Sequence, residues 1–431
     1  MGFVLRILIF FAVLLLLDWY VFQSVKLLTG KLSPAWQAGL RKGWWGLSAA
    51  ALATVTLGFL YAFQQRRAGN IADPYLNISI GLLIILYVPK LLWAAVLGAE
   101  DLWRLAYAGV QKVQGLYANQ LPEQPPIAED QLWLSRRQFF SYTGMVAAAV
   151  PMAALIDGVI RNRYNYRIHR QELFFPHLPE AFDGFRLVQL SDVHAGSFTN
   201  PEAVRKGVRL ALAQEPDAVV FTGDMVNNFA EEFDLYREIF AELPQVPHGA
   251  YSILGNHDYG DYVQWETPQQ KAANLQRLKD LQTAAGFHLL LNAHRVIERN
   301  GQQLAIVGVE NWGLPPFPQL GDLNKATHGL PEATFSILLS HDPSHWRAQV
   351  LEHPRHFPLT LSGHTHGMQF GVEIGQVKWS PVKWKYPEWA GLYREKDHFL
   401  YVNRGFGYLA FPGRVGILPE ITCFTLRRGQ A

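Results

Sequence analysis

The 431-residue sequence predicts an α/β domain preceded by an all-α region of three to four transmembrane helices. Two observations lead to this prediction. The first 160 or so residues contain long apolar runs, whereas the later residues contain short β-branched runs that alternate with helical patterns. The predicted organisation is a transmembrane helical region at 1–118, a linker with a twin arginine and a candidate fourth membrane segment at 119–162, and the α/β domain at 163–431.

Composition limits the classes of function. Residues 1–163 carry 14 Lys and Arg against 8 Asp and Glu, a net charge of +6, whereas the remainder carries 24 against 28, a net charge of −4. The mildly acidic second part does not favour nucleic-acid phosphates, so nucleic acid is not an expected partner. A single cysteine, Cys423, excludes an internal disulfide and a cysteine-rich metal site.

Three apolar runs each have the length of a membrane span, about 20 residues. They are Ile7–Val25, Trp44–Phe63 and Leu76–Gly98. Trp and Tyr flank them, as is typical of membrane interfaces. A buried helical bundle is the alternative, but three such runs in succession are difficult to cover with water-soluble surface.

A fourth candidate segment, Leu134–Gly158, follows a polar, Pro-rich stretch at Asn119–Asp130. Its start, SRRQFF (Ser135–Phe140), resembles a twin-arginine export signal placed inside the chain. The run is short and contains Pro151 and Asp157. The alternatives are therefore an ordinary fourth helix with a positive flank, or a helix that lies on the membrane surface.

Loop charges predict the orientation. With four crossings, eight basic residues lie on one side (Lys26, Lys31, Arg41, Lys42, Arg104, Lys112, Arg136 and Arg137) and three on the other (Arg6, Arg66 and Arg67). The positive-inside rule then predicts an integral inner-membrane protein whose α/β domain is extracytoplasmic. Three crossings would instead place that domain in the cytoplasm.

Two charged residues lie within the apolar runs. Asp18 and Lys90 have similar predicted depths in the membrane. Because an unpaired charge within a span is costly, they either pair with each other or extend separately to the interface.

In the second half, apolar strands repeatedly end in polar residues. The strands are in FRLVQLSDVH, DAVVFTGD, AYSILGNHD, QLAIVGVEN, TFSILLSHD and PLTLSGHTH, and PEAVRKGVRLALAQE between the first two has a helical pattern. Ligands bind at the carboxyl edge of such sheets. The polar residues expected there are Asp192, His194, Asp224, Asn256, His257, Asp258, His341, Asp342, His364 and His366.

The spacing and type of these residues favour metal binding. A D-x-H or H-x-H pair on an extended segment points both side chains to one face. Gly223, Gly255 and Gly363 allow tight turns beside the site. Oxygen and imidazole ligands suit Mn²⁺, Fe or Zn²⁺, and a carboxylate can bridge two ions about 3.5–4 Å apart. Each motif alone is more often a turn or a helix cap, but together they predict a two-metal site.

With these residues identified, the motifs SDVH, TGDMVN, LGNHDY, LSHDP, SGHTHG and YVNRGFG resemble the calcineurin-like metallophosphoesterases, over Phe185–Leu426. The membrane-associated or exported bacterial branch is the most similar. The resemblance implies an αββα sandwich and two divalent cations. One would be held by Asp192, His194, Asp224 and His366, and the other by Asp224, Asn256, His341 and His364. Met368 departs from the glycine usual in that branch, which puts the shape of the substrate floor in doubt.

The predicted reaction is hydrolysis of a phosphoester by a hydroxide that bridges the two cations. His257 is the candidate general acid, with Asp258 as its orienter; a turn histidine bonded to backbone is the alternative for His257. The expected substrate is an envelope or lipid-linked phosphoester. Alternatives are a pyrophosphatase of lipid-linked nucleotides at the cytoplasmic face and a catalytically silent membrane sensor. The oligomeric state is not predicted.

The aromatic and basic stretch Val377–Arg394 has two interpretations: a folded cover over the sheet, or a belt that contacts membrane lipids. Histidines outside the motifs, among them His328, His345, His356 and His398, are predicted to be surface or loop residues.

Overall fold

The computed structural model describes residues 2–67, 74–117, 135–375 and 377–430. Contacts divide the chain into a helical unit that ends at Ile156 and a second unit that runs from Asp157 to Ala431. The linker predicted at Asn119–Asp130 lies outside the described residues.

The helical unit is built from four helices: α1 (Gly2–Leu28), α2 (Pro34–Arg67), α3 (Pro74–Tyr117) and α4 (Arg136–Ile160). All four are long and apolar enough to cross a membrane, over Leu8–Leu28, Pro34–Ala62, Leu76–Gln114 and Arg136–Ile160. The three predicted spans are thus confirmed as spanning-length helices. The fourth segment is also a helix of that length, although Pro151 lies inside it.

The twin arginine forms the first turn of α4. Ser135 and Gln138 cap this turn reciprocally: the Ser135 backbone N–H donates to Gln138 Oε1 (3.0 Å), and the Gln138 N–H donates to Ser135 Oγ (3.3 Å). This geometry is that of an ordinary helix start with a positive flank. An export role for the motif stays a prediction.

Asp18 and Lys90 form an ion pair inside the helical unit. The Asp18 side chain is fully buried, and the Tyr87 hydroxyl donates to its second oxygen at 3.0 Å. Lys90 Nζ also donates to Ser48 Oγ at 3.4 Å. The pairing alternative is therefore confirmed, and residues of α1, α2 and α3 share one buried polar cluster.

The second unit contains two six-stranded sheets. The first has the order β1 (Arg167–Phe175), β14 (Glu420–Arg428), β2 (Arg186–Leu190), β3 (Ala218–Phe221), β4 (Ala250–Ser252) and β5 (Phe287–Leu289). The second has the order β12 (Gly391–Glu395), β13 (His398–Val402), β9 (Leu359–Ser362), β8 (Phe335–Leu339), β7 (Gln302–Gly308) and β6 (Ala293–Arg299). β2 to β5 run parallel, as do β7, β8, β9 and β13.

Helices cover both outer faces. The helices beside the first sheet are α5 (Pro201–Leu212), α6 (Arg237–Phe240) and α7 (Pro268–Ala284), and those beside the second are α8 (Leu323–Ala326) and α9 (Ser344–Ala348). A small hairpin of β10 (Val372–Ile374) and β11 (Val377–Trp379) stands apart.

Strand β3 illustrates why the chain forms these layers. Val220 points into the core between the sheets, whereas Val219 and Phe221 point into the core beneath the helices. All four residues of β3 are buried. All four are also apolar, because a parallel strand that is covered on both faces needs apolar side chains throughout. Burial of each such side chain contributes about 1.5–3 kcal/mol. The predicted αββα sandwich is confirmed.

Candidate metal centre

The predicted ligands converge at the carboxyl ends of strands from both sheets, through turns rather than extended segments. β2 ends at Leu190 and β9 at Ser362, before the D-x-H and H-x-H pairs begin. Five of the residues have left-handed backbones: Asp192 (φ 52°), His194 (50°), Asp224 (60°), His364 (71°) and His366 (52°). The expectation of extended pairs is thus wrong. Such non-glycine conformations cost about 1–3 kcal/mol each and cluster at functional sites.

Glycines let these turns approach one another. Gly223 has a φ of 95°, in the left-handed region that glycine tolerates. A Cβ on Gly255 would overlap the Asp224 carboxylate, and one on Gly363 would overlap the Asp192 carboxylate. The predicted role of the glycines is therefore found in the structure.

Asp192, His194 and His366 form the first group of donor atoms. His366 Nε2 lies 3.4 Å from Asp192 Oδ1 and 2.9 Å from His194 Nε2. Asp224 Oδ2 is 3.6 Å from His194 Nε2. These four side chains are buried, with His366 the most exposed at 7%.

Asp224, His341 and His364 form the second group. His341 Nε2 lies 3.1 Å from Asp224 Oδ2 and 3.1 Å from Asn256 Oδ1. His364 Nδ1 lies 2.7 Å from the same Asn256 oxygen. Asp224 thus borders both groups, and the two histidines of the H-x-H motif fall in different groups.

The separations fit divalent cations. Ligand atoms about 2.1 Å from one ion lie roughly 3.0–3.4 Å apart at octahedral or tetrahedral angles. The adjacent donor atoms here are 2.7–3.6 Å apart. The set contains imidazole, carboxylate and amide oxygen but no thiolate, which suits Mn²⁺, Fe or Zn²⁺.

Burial keeps three of the four histidines in the two donor groups neutral. It lowers the pKa of His194 to about 3 and that of His364 to about 4, and it lowers the pKa of His366 well below its usual value. Neutral imidazole is the form that binds a cation. His341 differs, because Asp224 outweighs burial and raises the His341 pKa to about 10. A cation at His341 must displace that proton.

His257 lies at the edge of the centre. Its Nδ1 is 2.8 Å from the Asn227 carbonyl oxygen. Because a carbonyl oxygen can only accept, Nδ1 is the donor, and Nε2 takes no part in this bond. The ring stacks on Tyr262, with centroids 4.3 Å apart. The backbone bond assumed in the turn-histidine alternative is therefore present, but it leaves Nε2 available for proton transfer.

Asp258 is not the orienter predicted for His257. Its buried carboxylate accepts the backbone N–H groups of Asp224 (2.9 Å), Met225 (2.8 Å), Val226 (3.2 Å) and Gly255 (2.9 Å). It therefore joins the turns after β3 and β4. Although Asp258 follows His257 in sequence, its carboxylate bonds to these backbone groups. The Asn227 carbonyl holds the His257 imidazole instead.

Further contacts orient the candidate ligands from behind, which sequence analysis missed. Asn227 Oδ1 is 3.1 Å from His194 Nδ1, and the Tyr386 hydroxyl is 2.8 Å from His364 Nε2. Arg414, also buried, donates from Nη2 to His366 Nδ1 at 3.1 Å, so Nδ1 of this histidine is the acceptor. Asn227 lies in the quoted TGDMVN motif, but no pattern indicates Tyr386, which comes from a distant loop.

A cavity of about 260 Å³ is lined by six of the predicted site residues, His194, Asp224, Asn256, His257, His364 and His366, together with Tyr262, Phe317 and Leu409. Met368, expected to shape the substrate floor, is 53% exposed.

His345, expected at the surface, is fully buried and stacks on Trp312 at 4.8 Å. The surface prediction is wrong for that residue, because its ring on α9 is covered by Trp312 and lies 2.8 Å (Nδ1) from Ser340 Oγ just after the end of β8.

Comparison with known families gives two matches. Residues 185–368 match the family described as calcineurin-like phosphoesterase, and residues 5–163 match one described as the probable calcineurin-like phosphoesterase, transmembrane domain. Individual proteins of similar sequence have names that refer to the same family or to phosphoester hydrolysis. The uncharacterized metallophosphoesterase YkuE of Bacillus subtilis is 32% identical over 304 residues, which cover 68% of this chain and 98% of that protein.

Two further relatives have names that state an activity. The UDP-2,3-diacylglucosamine pyrophosphatase LpxG of Chlamydia trachomatis is 29% identical over 277 residues, covering 53% of this chain and 81% of that protein. The phosphodiesterase YaeI of Escherichia coli is 26% identical over 245 residues, covering 56% and 82%. With these matches, the donor groups and the four apolar helices, the chain belongs to the calcineurin-like metallophosphoesterases, a family of metal-dependent hydrolases, and carries a transmembrane region.

Proposed function

We propose that this membrane protein hydrolyses a lipid-linked phosphoester at a binuclear metal centre. The observation that carries the proposal is a pair of donor groups with Asp224 between them: Asp224 belongs to the group of His341 and His364, and its Oδ2 also lies 3.6 Å from His194 Nε2 of the other group. One cation would be held by Asp192, His194, Asp224 and His366, and the other by Asp224, Asn256, His341 and His364. The complete donor set counts against a catalytically silent sensor.

When bound, the two cations supply a water of lowered pKa and positive charge for the phosphoryl oxygens. The chain's own residues then handle the leaving group. His257 Nδ1 donates to the Asn227 carbonyl, so Nε2 of the imidazolium is the atom that gives a proton to the leaving oxygen. Phe317 and Leu409 line the cavity and limit its water.

The stretch Val377–Arg394 supports a lipid-borne substrate. Tyr386 and Trp389 are buried beside the centre, as the cover interpretation requires, whereas Trp384 is 76% exposed only two residues from Tyr386. The adjacent hairpin exposes Ile374 (73%) and Val377 (68%). Exposed apolar side chains thus belong to the same stretch as Tyr386, whose hydroxyl reaches His364, and in this proposal they contact the acyl part of the substrate.

The test of this function uses the purified full chain with Mn²⁺, assayed against soluble and lipid-borne phosphoesters. We expect Trp384→Ser to raise KM for the lipid-borne substrate and to leave kcat/KM for the soluble one unchanged. Leu235→Ser is the matched control, because Leu235 is an exposed apolar residue (66%) elsewhere in the same unit. Equal effects of both variants on both substrates would contradict a lipid-binding role.

The extracytoplasmic orientation of the catalytic unit is part of the proposal. Four helices of spanning length, combined with eight basic residues on one side and three on the other, support it. For export by a conventional route, alkaline phosphatase fused after Ala431 should be active and green fluorescent protein at the same point dark. If the twin-arginine route is used, the double variant Arg136→Lys, Arg137→Lys should abolish export.

A second candidate is a pyrophosphatase of lipid-linked nucleotides at the cytoplasmic face. The similarity to the chlamydial UDP-2,3-diacylglucosamine pyrophosphatase favours it. Inactive phosphatase beside a bright fluorophore in the fusions would support this candidate and reject the extracytoplasmic one. Hydrolysis of the pyrophosphate bond of a lipid-linked nucleotide to a nucleoside monophosphate and a lipid phosphate would then identify the reaction.

A further inference from the structure

A second cluster of metal-ligating side chains lies at the opposite end of β9 from the catalytic centre. It consists of His356, Asp397 and His398. His356 precedes β9, and His398 is the first residue of β13, which pairs in parallel with β9. His364 and His366 follow the carboxyl end of the same strand. The cluster is therefore separate from the centre described above.

The three side chains have the spacing of ligands to one ion. Asp397 Oδ2 lies 3.1 Å from His356 Nε2, and Asp397 Oδ1 lies 3.8 Å from His398 Nε2. One donor atom from each residue lies within 4.8 Å of the others. Ligands about 2.1 Å from a tetrahedral Zn²⁺ are separated by roughly 3.4 Å, and the two measured separations, which end on different oxygens of Asp397, lie on either side of this value.

A hydrogen bond from His398 to the backbone leaves Nε2 as the ring nitrogen that can bind a cation. Its Nδ1 is 3.1 Å from the Phe357 carbonyl oxygen, which can only accept, so Nδ1 carries the hydrogen. In neutral His398, Nε2 therefore turns its lone pair toward the Asp397 carboxylate, and two acceptors face each other. A carbonyl behind Nδ1 is the usual partner of a zinc-ligating histidine, and a cation between the two acceptors removes the repulsion.

The cluster is both held in place and open to solvent. The Phe399 backbone N–H donates to the Pro358 carbonyl at 2.9 Å, which fixes the two strand starts side by side. Arg394 Nε donates to the Lys396 carbonyl at 2.8 Å and braces the turn that carries Asp397. The side chains of His356 and Asp397 are 41% and 72% exposed, so water can reach the remaining coordination position.

We propose that His356, Asp397 and His398 form a zinc site separate from the catalytic centre, with water as a further ligand. Two imidazoles and one carboxylate suit Zn²⁺ better than Mg²⁺ or Ca²⁺, which prefer oxygen ligands. The ion would join the β12–β13 hairpin to the segment before β9 and thereby stabilise that edge of the second sheet.

The test measures zinc per chain. The full chain in detergent is stripped with a chelator, equilibrated with Zn²⁺, separated from free metal and analysed for zinc and protein. We expect His356→Gln and His398→Gln each to hold about one zinc ion fewer per chain than the wild type. Zinc bound at the catalytic centre contributes equally to every sample and cancels in the difference.

His328→Gln is the matched control, since His328 is an exposed histidine in the loop before β8. Its zinc content should equal that of the wild type, and zinc should raise the melting temperature of both more than that of the two cluster variants. Equal zinc content in all four proteins would overturn the proposal. If a glutamine variant loses Mn²⁺-dependent hydrolysis through misfolding, Asp397→Asn, on a mostly exposed side chain, replaces it with the same expected loss.

Discussion

The helical and catalytic units bury charge in opposite ways. In the helical unit, Asp18 faces Lys90, the Tyr87 hydroxyl donates to the second Asp18 oxygen, and Lys90 also donates to the Ser48 hydroxyl. In the catalytic centre, carboxylates face imidazoles of which only His341 is held protonated, and in the proposed function metal cations balance the remaining charge. A buried acid alone therefore does not indicate a metal site; the identity of its partners does.

The catalytic unit also contains a buried ion pair whose two charges balance each other. Arg404 Nη1 lies 2.6 Å from Glu420 Oε2, and both side chains are almost fully buried. Arg404 lowers the pKa of Glu420 to about 2 although burial opposes the shift. This pair, like that of Asp18, is balanced by the protein itself, so the same fold contains both kinds of buried charge.

The largest expected effect is that of Asp224→Asn. It weakens both cation sites at once, and we expect hydrolysis to fall on the order of 10⁴-fold, the scale found for groups that act as a unit. Steady-state assays with Mn²⁺ and metal analysis measure the loss. Asp234→Asn, which breaks only an exposed ion pair with Arg277, should change activity little. Retained activity in Asp224→Asn would show that this carboxylate does not border two ions.

Asp18→Asn tests the self-balanced charge. Removal of one partner leaves Lys90 buried and unpaired, and we expect a loss of about 3–5 kcal/mol in the stability of the helical unit. Thermal or denaturant unfolding in detergent measures it. In the double variant Asp18→Asn, Lys90→Gln, the loss should be smaller than the sum of the single losses. Strict additivity would mean that the pair contributes nothing.

His257→Ala should have a smaller and substrate-dependent effect. For alkyl esters we expect kcat to fall about 10²-fold, because the leaving oxygen needs a proton. For p-nitrophenyl esters, whose leaving oxygen is a weak base, the loss should be clearly smaller. The two substrates are compared under the same metal loading. A loss of the same size on both would remove His257 from the acid role.

The smallest effect concerns pH. Since Asp224 raises the pKa of His341 to about 10 in the metal-free protein, a cation must displace one proton from His341 at any lower pH. The affinity for Mn²⁺ should therefore rise about tenfold per pH unit as the pH increases toward that pKa. Titration calorimetry in buffers of different ionisation enthalpy counts the released proton. An affinity independent of pH would contradict a protonated His341.

Six strands, β2, β3, β4, β7, β8 and β9, and the convergence of the polar residues that follow them were predictable, because each strand is an apolar run that ends in a distinctive polar motif. The catalytic and metal-binding roles of those residues stay a prediction. The conformation of those residues was not predictable. The pairs Asp192–His194 and His364–His366 were expected on extended chain, but tertiary contacts hold them in left-handed turns. Period-two geometry applies only while the strand continues.

Contacts that depend on chain-distant loops were also beyond the sequence. The Asn227 carbonyl, not the adjacent Asp258, meets His257, and Tyr386 reaches His364 from 22 residues away. The pairing of Asp18 with Lys90 was one of two open alternatives, because composition fixes depth in a membrane but not the rotation of each helix. Neighbours in space can be inferred from neighbours in sequence only within one element.

The central claim is that two cations lie on either side of Asp224. Anomalous scattering from crystals of the Mn²⁺-loaded full chain tests it most directly. We expect two peaks about 3.5–4 Å apart, one among Asp192, His194 and His366 and the other among Asn256, His341 and His364, with the Asp224 carboxylate between them. A single peak, or two peaks that do not share Asp224, would contradict the binuclear centre.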